Sequence, residues 1–385
     1  MASWRYGTPP SMRLKSEGFA SSLSDPRGEF TLKAYCQSAG LAYADIDLPT
    51  PVGTFIAYGD AFQRSFAPQL DTRLVREIRE NRGEFEIELD DGASLSADQC
   101  VIATGLTGFQ HIPAALGGLA GDRLAHTAEL HDYTKFAGAR VLVVGAGASA
   151  TNAAGELLRQ GAQVTLSCRS PELRFYAGAT PRGWRDALLA PLSPIGPGWS
   201  KWAASYFPQA FRALPERLRV KIVDSTLGPA PAWFVRQEIE GKIEVLAGQR
   251  IGGARETATG VEIDFVDLDN GRSVHEFDYV IAGTGYKVDL ERLSFLSPSL
   301  RSGLARVCGA PKLSYSFESS IAGLYFVGVS AAYHFGPALR FVCGADFASR
   351  RVSAAIAAKR RARAPAADAA RASIGLSGLD TPFRG

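Results

Sequence analysis

Residues 145–150 read Gly-Ala-Gly-Ala-Ser-Ala, a G-x-G-x-x-A spacing of small residues suited to cradling the pyrophosphate of a dinucleotide. Each position has a physical task. Gly145 permits a tight turn, Gly147 lets backbone N–H groups approach the phosphates, and Ala150 lets a helix pack closely on a strand. Ala146, Ala148 and Ser149 complete the cradle. The helix N-terminus that follows would face the phosphates with its partial positive charge.

Such a turn is informative only between the right elements, and Arg140–Ser170 supplies them. Val141–Val144 is an apolar run of the kind a doubly buried parallel strand requires. An Ala/Leu-rich helical segment closed by Gly161 follows the turn, and Gln163–Leu166 reads as the second strand. That strand ends in Ser167-Cys168-Arg169-Ser170, with no acidic residue to grip a free ribose 2′-hydroxyl. Arg169 can pair with a 2′-phosphate and Ser170 can add a hydrogen bond, which favours NADP over NAD. The competing reading of Arg169 is an ordinary solvated surface arginine.

At 385 residues the chain is long enough for two domains with substantial cores. A net charge of +3, from 42 basic and 39 acidic residues, is too balanced to argue for nucleic acid. No apolar run approaches the ~18 residues of a membrane span, and no signal peptide opens the chain. The five scattered cysteines form no C-x-x-C, which suits a cytoplasmic protein, and the five histidines form no metal-binding spacing.

Met1–Pro26 reads as loops, with helices expected around Phe30–Ala39 and Thr54–Phe66. Leu74–Ile78 and Phe85–Leu89 then alternate apolar and polar, Asp91-Gly92 turns, and Cys100–Ala103 is expected to be a buried strand ending at Thr104-Gly105. The pattern recurs downstream. Val261–Val266 alternates, Asp269-Asn270-Gly271 turns, and Tyr279–Tyr286 closes through Thr284-Gly285. The expected fold is α/β, with two Rossmann-like, three-layer dinucleotide domains carrying β-meanders. No strand–G-x-G-x-x-G precedes Val101, so the chain is expected to start inside the first domain, after its opening β-α-β unit.

Taken as a set, several motifs resemble the flavin-containing monooxygenase group in its broad sense, which includes the N-hydroxylating enzymes. They are Ile102-Ala-Thr-Gly105, Gly145–Ala150, Ile281–Tyr286, Gly323–Gly328 and Phe335-Gly-Pro-Ala-Leu-Arg340 with the helix after it. Trp4-Arg5 and Met12–Phe19 resemble the stretch that follows the first nucleotide unit in that group. The resemblance covers about residues 1–358. It implies an FAD domain of 1–112 and 288–358 and an NADP domain of 113–287 bearing an aromatic, Pro-rich insertion at 175–235. Residues 359–385 are expected to form a basic, disordered tail. The resemblance further implies that NADPH reduces FAD, and that reduced flavin with O₂ oxygenates a small nucleophilic substrate. A flavoprotein reductase serving a partner, or an NADP-binding remnant without flavin activity, are the competing readings.

Thr104, Gly105, Thr284, Gly285 and Gly328 are then expected to border the cofactors, and Arg340 to support the flavin as the catalytic candidate, with a structural ion pair as its rival. The group's aromatic-x-Gly-x-x-x-His marker appears only as Leu119-x-Gly121 with His126 one position late. His126 and His131 are therefore expected to be solvent-facing or structural, with positioning of cofactor or substrate as the competing reading. A homo-oligomer is left open.

Overall fold

The computed structural model describes residues 1–176, 183–226 and 230–376, with side chains described as far as residue 362. Three short helices open it: α1 (Ala2–Tyr6), α2 (Leu32–Ser38) and α3 (Val52–Phe66). They close on a small core of Leu14, Leu32, Cys36, Val52, Phe55 and Tyr58. The buried Tyr58 hydroxyl donates to the Phe30 carbonyl at 2.7 Å and accepts the Leu23 N–H at 3.0 Å, which pins the connecting loops. Met1–Pro26 is thus less loop-like than expected. It holds α1 and a 3₁₀ turn at Gly18–Ala20, each too short for a periodic signal.

A three-stranded antiparallel meander follows, β1 (Val75–Asn81), β2 (Glu84–Leu89) and β3 (Ser94–Ala97), and then β4 (Cys100–Ile102). The second domain begins with β5 (Leu124–His126), β6 (Arg140–Val144), α4 (Ala148–Arg159) and β7 (Gln163–Cys168). The insertion is helical: α5 (Trp184–Leu189), α6 (Trp199–Tyr206), α7 (Pro208–Ala213), α8 (Glu216–Ser225) and α9 (Trp233–Ile239). The chain returns through β8 (Glu244–Ala247), a second meander of β9 (Arg250–Glu256), β10 (Val261–Val266) and β11 (Arg272–Phe277), and then β12 (Tyr279–Ala282). It finishes with α10 (Pro298–Gly303), β13 (Arg306–Val307), β14 (Ala310–Pro311), β15 (Leu324–Phe326), α11 (Ala332–Phe335) and α12 (Gly344–Leu376). The expected disordered tail of 359–385 is corrected in part: residues 359–376 continue α12, and 377–385 lie outside the described residues.

The second domain is a three-layer unit built on a five-stranded parallel sheet of order β5-β12-β6-β7-β8. Its central strand β6 shows why both faces must be apolar. Val141 and Val143 point to one side and pack with Ala150, Ala153, Ala154 and Leu157 of α4 and with α9. Leu142 points to the other side and packs with Val261, Ile263 and Phe265 of the meander. The alternating burial of β10 fits a strand with one wet face.

The first domain repeats the scheme in part. β4 pairs in parallel with β15, and Ile102, Phe326, Phe85 and Phe317 join one core with the apolar face of α12. The repeat of meander and closing strand read from the sequence is therefore present in both domains. One expectation is corrected: Cys100–Ala103 is not a buried strand, since Val101 is 39% exposed. Among the described residues β4 has a strand neighbour on one edge only, and Val101, on the opposite face from the buried Ile102, reaches solvent.

Where β6 and β12 end side by side, the packing leaves no room for a side chain. A Cβ on Gly145 would lie 2.3 Å from the Gly283 carbonyl oxygen, and one on Gly283 would lie 2.5 Å from the Ala150 Cβ. Gly283→Ala should accordingly push α4 off the sheet and destabilise the protein by about 1–3 kcal/mol, the usual cost of overpacking a core. Urea unfolding measures this, and an unchanged midpoint would contradict the packing described.

Candidate functional site

The sheet order reverses at β6: the chain runs from β6 to β7 and β8 on one side and later returns to β12 on the other. Ligands of open α/β sheets bind outside the carboxyl ends of the strands at such a switch point. The Gly145–Ala150 turn lies there. Gly145 adopts φ +136°, a conformation that L side chains rarely adopt. Gly147 is the N-cap of α4 in extended conformation and brings no side-chain cap, and the first turn of α4 carries no acidic residue. The N–H groups opening α4 are thus free to meet an anion, where the helix dipole adds to the attraction. Ala146, Ala148 and Ser149 are half-buried around the turn, and Ala150 is fully buried beneath it. These residues fit a dinucleotide pyrophosphate.

At the end of β7, Arg169 is exposed and makes no ion pair among the described residues. Ser170 stands beside it, its carbonyl accepting the Gly248 N–H at 2.7 Å, which holds the backbone of the turn while the hydroxyl stays available. Positive charge gathers on this side of the crevice. Burial first, and then Lys287, Arg292 and Arg169, push the His111 pKa below its ordinary value. A doubly charged 2′-phosphate entering there would meet the exposed Arg169 in the positive field of Lys287 and Arg292.

The two chain crossings between domains are tied to each other. His111 N–H donates to the Gly285 carbonyl at 2.9 Å, Lys287 N–H donates to the Phe109 carbonyl at 2.8 Å, and Gln110 bridges Tyr286. The Thr284 hydroxyl donates to the His111 carbonyl, so this side chain serves the crossing. Gly285 takes φ +80° with open space where a Cβ would stand, and Gly105 does the same at φ +70° on the other crossing. Thr104 and Gly105 are exposed beyond the end of β4.

His126, one of the two histidines expected to be solvent-facing or structural, is structural. It is fully buried at the end of β5. Its Nδ1 accepts the Ala128 N–H at 3.1 Å, so the proton resides on Nε2, which donates to the Gly285 carbonyl at 3.0 Å. Its ring also meets Tyr286 edge-on at 5.3 Å. His131 is exposed and reaches the Thr8 carbonyl at 2.6 Å, joining the N-terminal unit to the second domain. Sequence reasoning missed Gly283 and the His126–Gly285 link. The first was legible as the extra glycine in Ala282-Gly-Thr-Gly285, whereas the second joins residues 159 apart and left no local signal.

On the first-domain side, Gly328 follows β15 at φ +69° with open space at its Cβ position, and it begins a 3₁₀ turn. Arg340 ends the 3₁₀ turn Pro337–Arg340 and donates from Nη1 to the Thr226 carbonyl at 2.9 Å. Its structural engagement is therefore a carbonyl of the insertion rather than an ion pair. The turns after β4 and β15 offer glycine-lined room for a flavin edge. Among the described residues, however, the strand–glycine turn–helix cradle occurs once, at Gly145–Ala150. No second one is present for an FAD pyrophosphate.

Residues 65–182 match the pyridine nucleotide-disulphide oxidoreductase family model. Indole-3-pyruvate monooxygenase YUCCA1 of Oryza sativa subsp. japonica is 28% identical over 175 residues, so the match spans 43% of this chain and only 43% of that relative. Ornithine hydroxylase of Pseudomonas aeruginosa superposes with a TM-score of 0.66 at 17% identity, covering 90% of each chain. The cadaverine monooxygenase of Erwinia amylovora, solved bound to FAD, gives 0.67 at 14% identity over 91% of this chain and 84% of that one. These likenesses bear out the two-domain α/β fold and the resemblance to flavin-dependent monooxygenases read from the motifs. Among the described residues no helix is long and apolar enough to cross a membrane.

Arg169→Ala should weaken NADPH binding by about 1.5–3 kcal/mol, the range for hydrogen bonds to charged groups, and leave NADH nearly unaffected. Titration calorimetry with both nucleotides checks this, and equal losses would remove the 2′-phosphate assignment. Stability should also depend on pH through His126. Burial holds its folded pKa below the ordinary 6.5, so the unfolded chain takes up the proton first as pH falls. Its share of stability is thus full above pH 6.5 and is lost below it, toward the lowered native value. Denaturation midpoints from pH 8 down to about 5 should show a decline that His126→Gln partly flattens.

Proposed function

We propose that the protein is an NADPH- and FAD-dependent oxidoreductase of the monooxygenase type, acting on a small nucleophilic substrate with O₂. The observation that carries this reading is the uncapped N-terminus of α4 behind Gly145–Ala150, at the switch point of a parallel sheet, with the unpaired Arg169 at the next strand end. The names of the relatives support the oxygenase half: an indole-3-pyruvate monooxygenase, an ornithine hydroxylase and an FAD-bound cadaverine monooxygenase.

In this reading the α4 N–H groups and Gly147 hold the pyrophosphate of NADPH, while Arg169 and Ser170 hold its 2′-phosphate. Thr104, Gly105 and Gly328 border the flavin, and Arg340 stands on its first-domain side. Bound flavin supplies hydride acceptance and oxygen activation, chemistry that no side chain here provides. What the chain contributes is placement and shielding. Gly145, Ala150 and Gly283 fix the nucleotide against the sheet, and the paired crossings around His111 and Gly285 set the two domains edge to edge. His126 stays neutral and donates to Gly285, so it steadies the crossing and neither takes nor delivers a proton in the reaction.

The test is the visible spectrum of the purified chain mixed with FAD and passed through a desalting column. Retained flavin absorbance that bleaches with NADPH in the absence of air, and returns on aeration with loss of substrate, is the expected result. Tight NADPH binding with no flavin retained would overturn the reading and leave a nucleotide-binding protein. Bleaching that a protein acceptor reverses, with no oxygenated product, would point to a reductase.

A further inference from the structure

Helices α7 and α8 of the insertion pack against α11 of the first domain. The joint is apolar at its centre, where Phe211 and Val223 meet Ala332, with Leu214, Ile222 and Tyr333 around them. Charged groups from all three helices border it. Arg212 comes from α7, Arg219 from α8 and His334 from α11. Arg219 is only 8% exposed and His334 only 1%. Such groups are rarely taken out of water without partners.

Among the described residues, several of their nitrogens lack partners. Nε and Nη1 of Arg219, Nε of Arg212 and Nδ1 of His334 are all buried and make no hydrogen bond. The His334 tautomer is set by its other nitrogen. Nε2 accepts the Leu313 N–H at 3.2 Å, so in the neutral ring the proton sits on Nδ1. Every orphan atom in this cluster is therefore a donor. The nearest acid does not satisfy them: Glu216 stands 3.9 Å from Arg219 and its side chain is 52% exposed. Asp224 accepts from the Tyr333 hydroxyl at 2.8 Å. By contrast Arg140 finds Asp278 at 2.9 Å and Arg159 finds Glu156 at 2.7 Å.

The cations also work against one another. Burial and then the Arg219 charge lower the Arg212 pKa, and burial followed by Arg212, Arg219 and Lys312 brings that of His334 down to about 3. Buried donors and excess positive charge, with no hydrogen-bonded carboxylate among the described residues and only the Tyr315 hydroxyl serving Arg212, together describe one half of an ionic contact. The other half must bring oxygen acceptors and negative charge. The surrounding walls favour an organic molecule over a bare inorganic ion. The Arg212 guanidinium lies over the Tyr315 ring at 4.6 Å and the Phe335 ring at 5.6 Å, and Phe335 stacks on Phe317 at 4.1 Å. A singly charged, planar carboxylate matches the arginine fork and costs less to desolvate beside aromatic rings than a phosphate dianion does.

We propose that Arg212, Arg219 and His334 bind the carboxylate of a small organic acid whose apolar body lies against the exposed ring of Tyr315. Because α11 leads directly into Pro337–Arg340, the acid bound there is placed beside the first-domain segment. Its identity as the oxygenated substrate rests on the function proposed above, whereas the carboxylate site itself does not.

Calorimetry on the full chain with 3-phenylpropionate, 3-phenylpropionamide and inorganic phosphate tests the site, with NADPH titrated into the same samples. The expected result is saturable binding of the carboxylate, at least tenfold weaker binding of the amide and of phosphate, and at least a tenfold loss of carboxylate affinity in Arg219→Gln and Arg212→Gln with NADPH binding unchanged. Phosphate binding as tight as the carboxylate would make this an inorganic anion site. Amide binding as tight would remove the ionic contact. Full carboxylate affinity in both variants would remove these residues from the site. Should the variants not fold, the unsubstituted protein labelled with ¹⁵N-arginine decides: saturating carboxylate should shift two Nε–H resonances, and none shifting overturns the proposal. Loss of flavin or NADPH binding with carboxylate binding intact would sink the oxidoreductase reading and leave this site standing.

Discussion

The structure depends on an approach of backbones too close for side chains. At the head of the parallel sheet, Gly145, Ala150 and Gly283 occupy a space in which one additional methyl group would collide with the backbone or the Ala150 side chain. Because those positions stay small, α4 can descend onto the ends of β6 and β12 and direct its uncapped N-terminus into the crevice between them. The small buried residues along the helix, Ala150, Ala153 and Ala154, continue the same contact down the sheet. A helix carrying bulkier residues on that face would stand off from the sheet, and its dipole would point at solvent rather than at a phosphate. Close packing and anion binding are here one geometric fact.

The charges are arranged around that fact. Arg169, Lys287 and Arg292 surround His111 with positive potential at the crevice mouth, while the neutral His126 beneath contributes hydrogen bonds without charge. Burial of His126 keeps it neutral, so Gly285 receives two donors, from His126 and from the His111 backbone, whatever the pH above its depressed pKa. The crossing between domains is thereby fastened by main-chain bonds that respond little to salt, with Arg292 donating to the Gln110 carbonyl and Arg169 exposed and without an ion pair among the described residues.

Local pattern explains what could be read from the sequence. The β6–turn–α4–β7 unit and the two meanders announce themselves through period and turn residues within about a dozen positions, and both appear where the pattern put them. Cys100–Ala103 misled because an apolar run does not say whether both faces of a strand are covered: Ile102 faces the core, whereas Val101, on the other face, is exposed. Met1–Pro26 hid a five-residue helix that has no room to show a period. The candidate site was legible on its phosphate side for the same reason of locality. Its supports were not: His126 meets Gly285, Thr284 meets His111 and Arg340 meets Thr226 across separations of more than a hundred residues.

The insertion shows how those long-range contacts change what a segment does. By sequence it belongs to the nucleotide domain, leaving the sheet after β7 and rejoining it at β8. In space its helices α7 and α8 rest on α11. Phe211 lies where a Cβ on Gly336 would come within 3.3 Å of its ring, Asp224 holds the Tyr333 hydroxyl, and the Thr226 carbonyl holds Arg340. The two domains are thus joined at the paired crossings near the sheet, through His131 and the Thr8 carbonyl, and at this helical brace away from them. A single joint would leave the domains free to rotate about it, whereas separated joints allow little rotation unless one opens. The brace is also where, among the described residues, side-chain nitrogens of Arg212, Arg219 and His334 lie buried without hydrogen-bond partners.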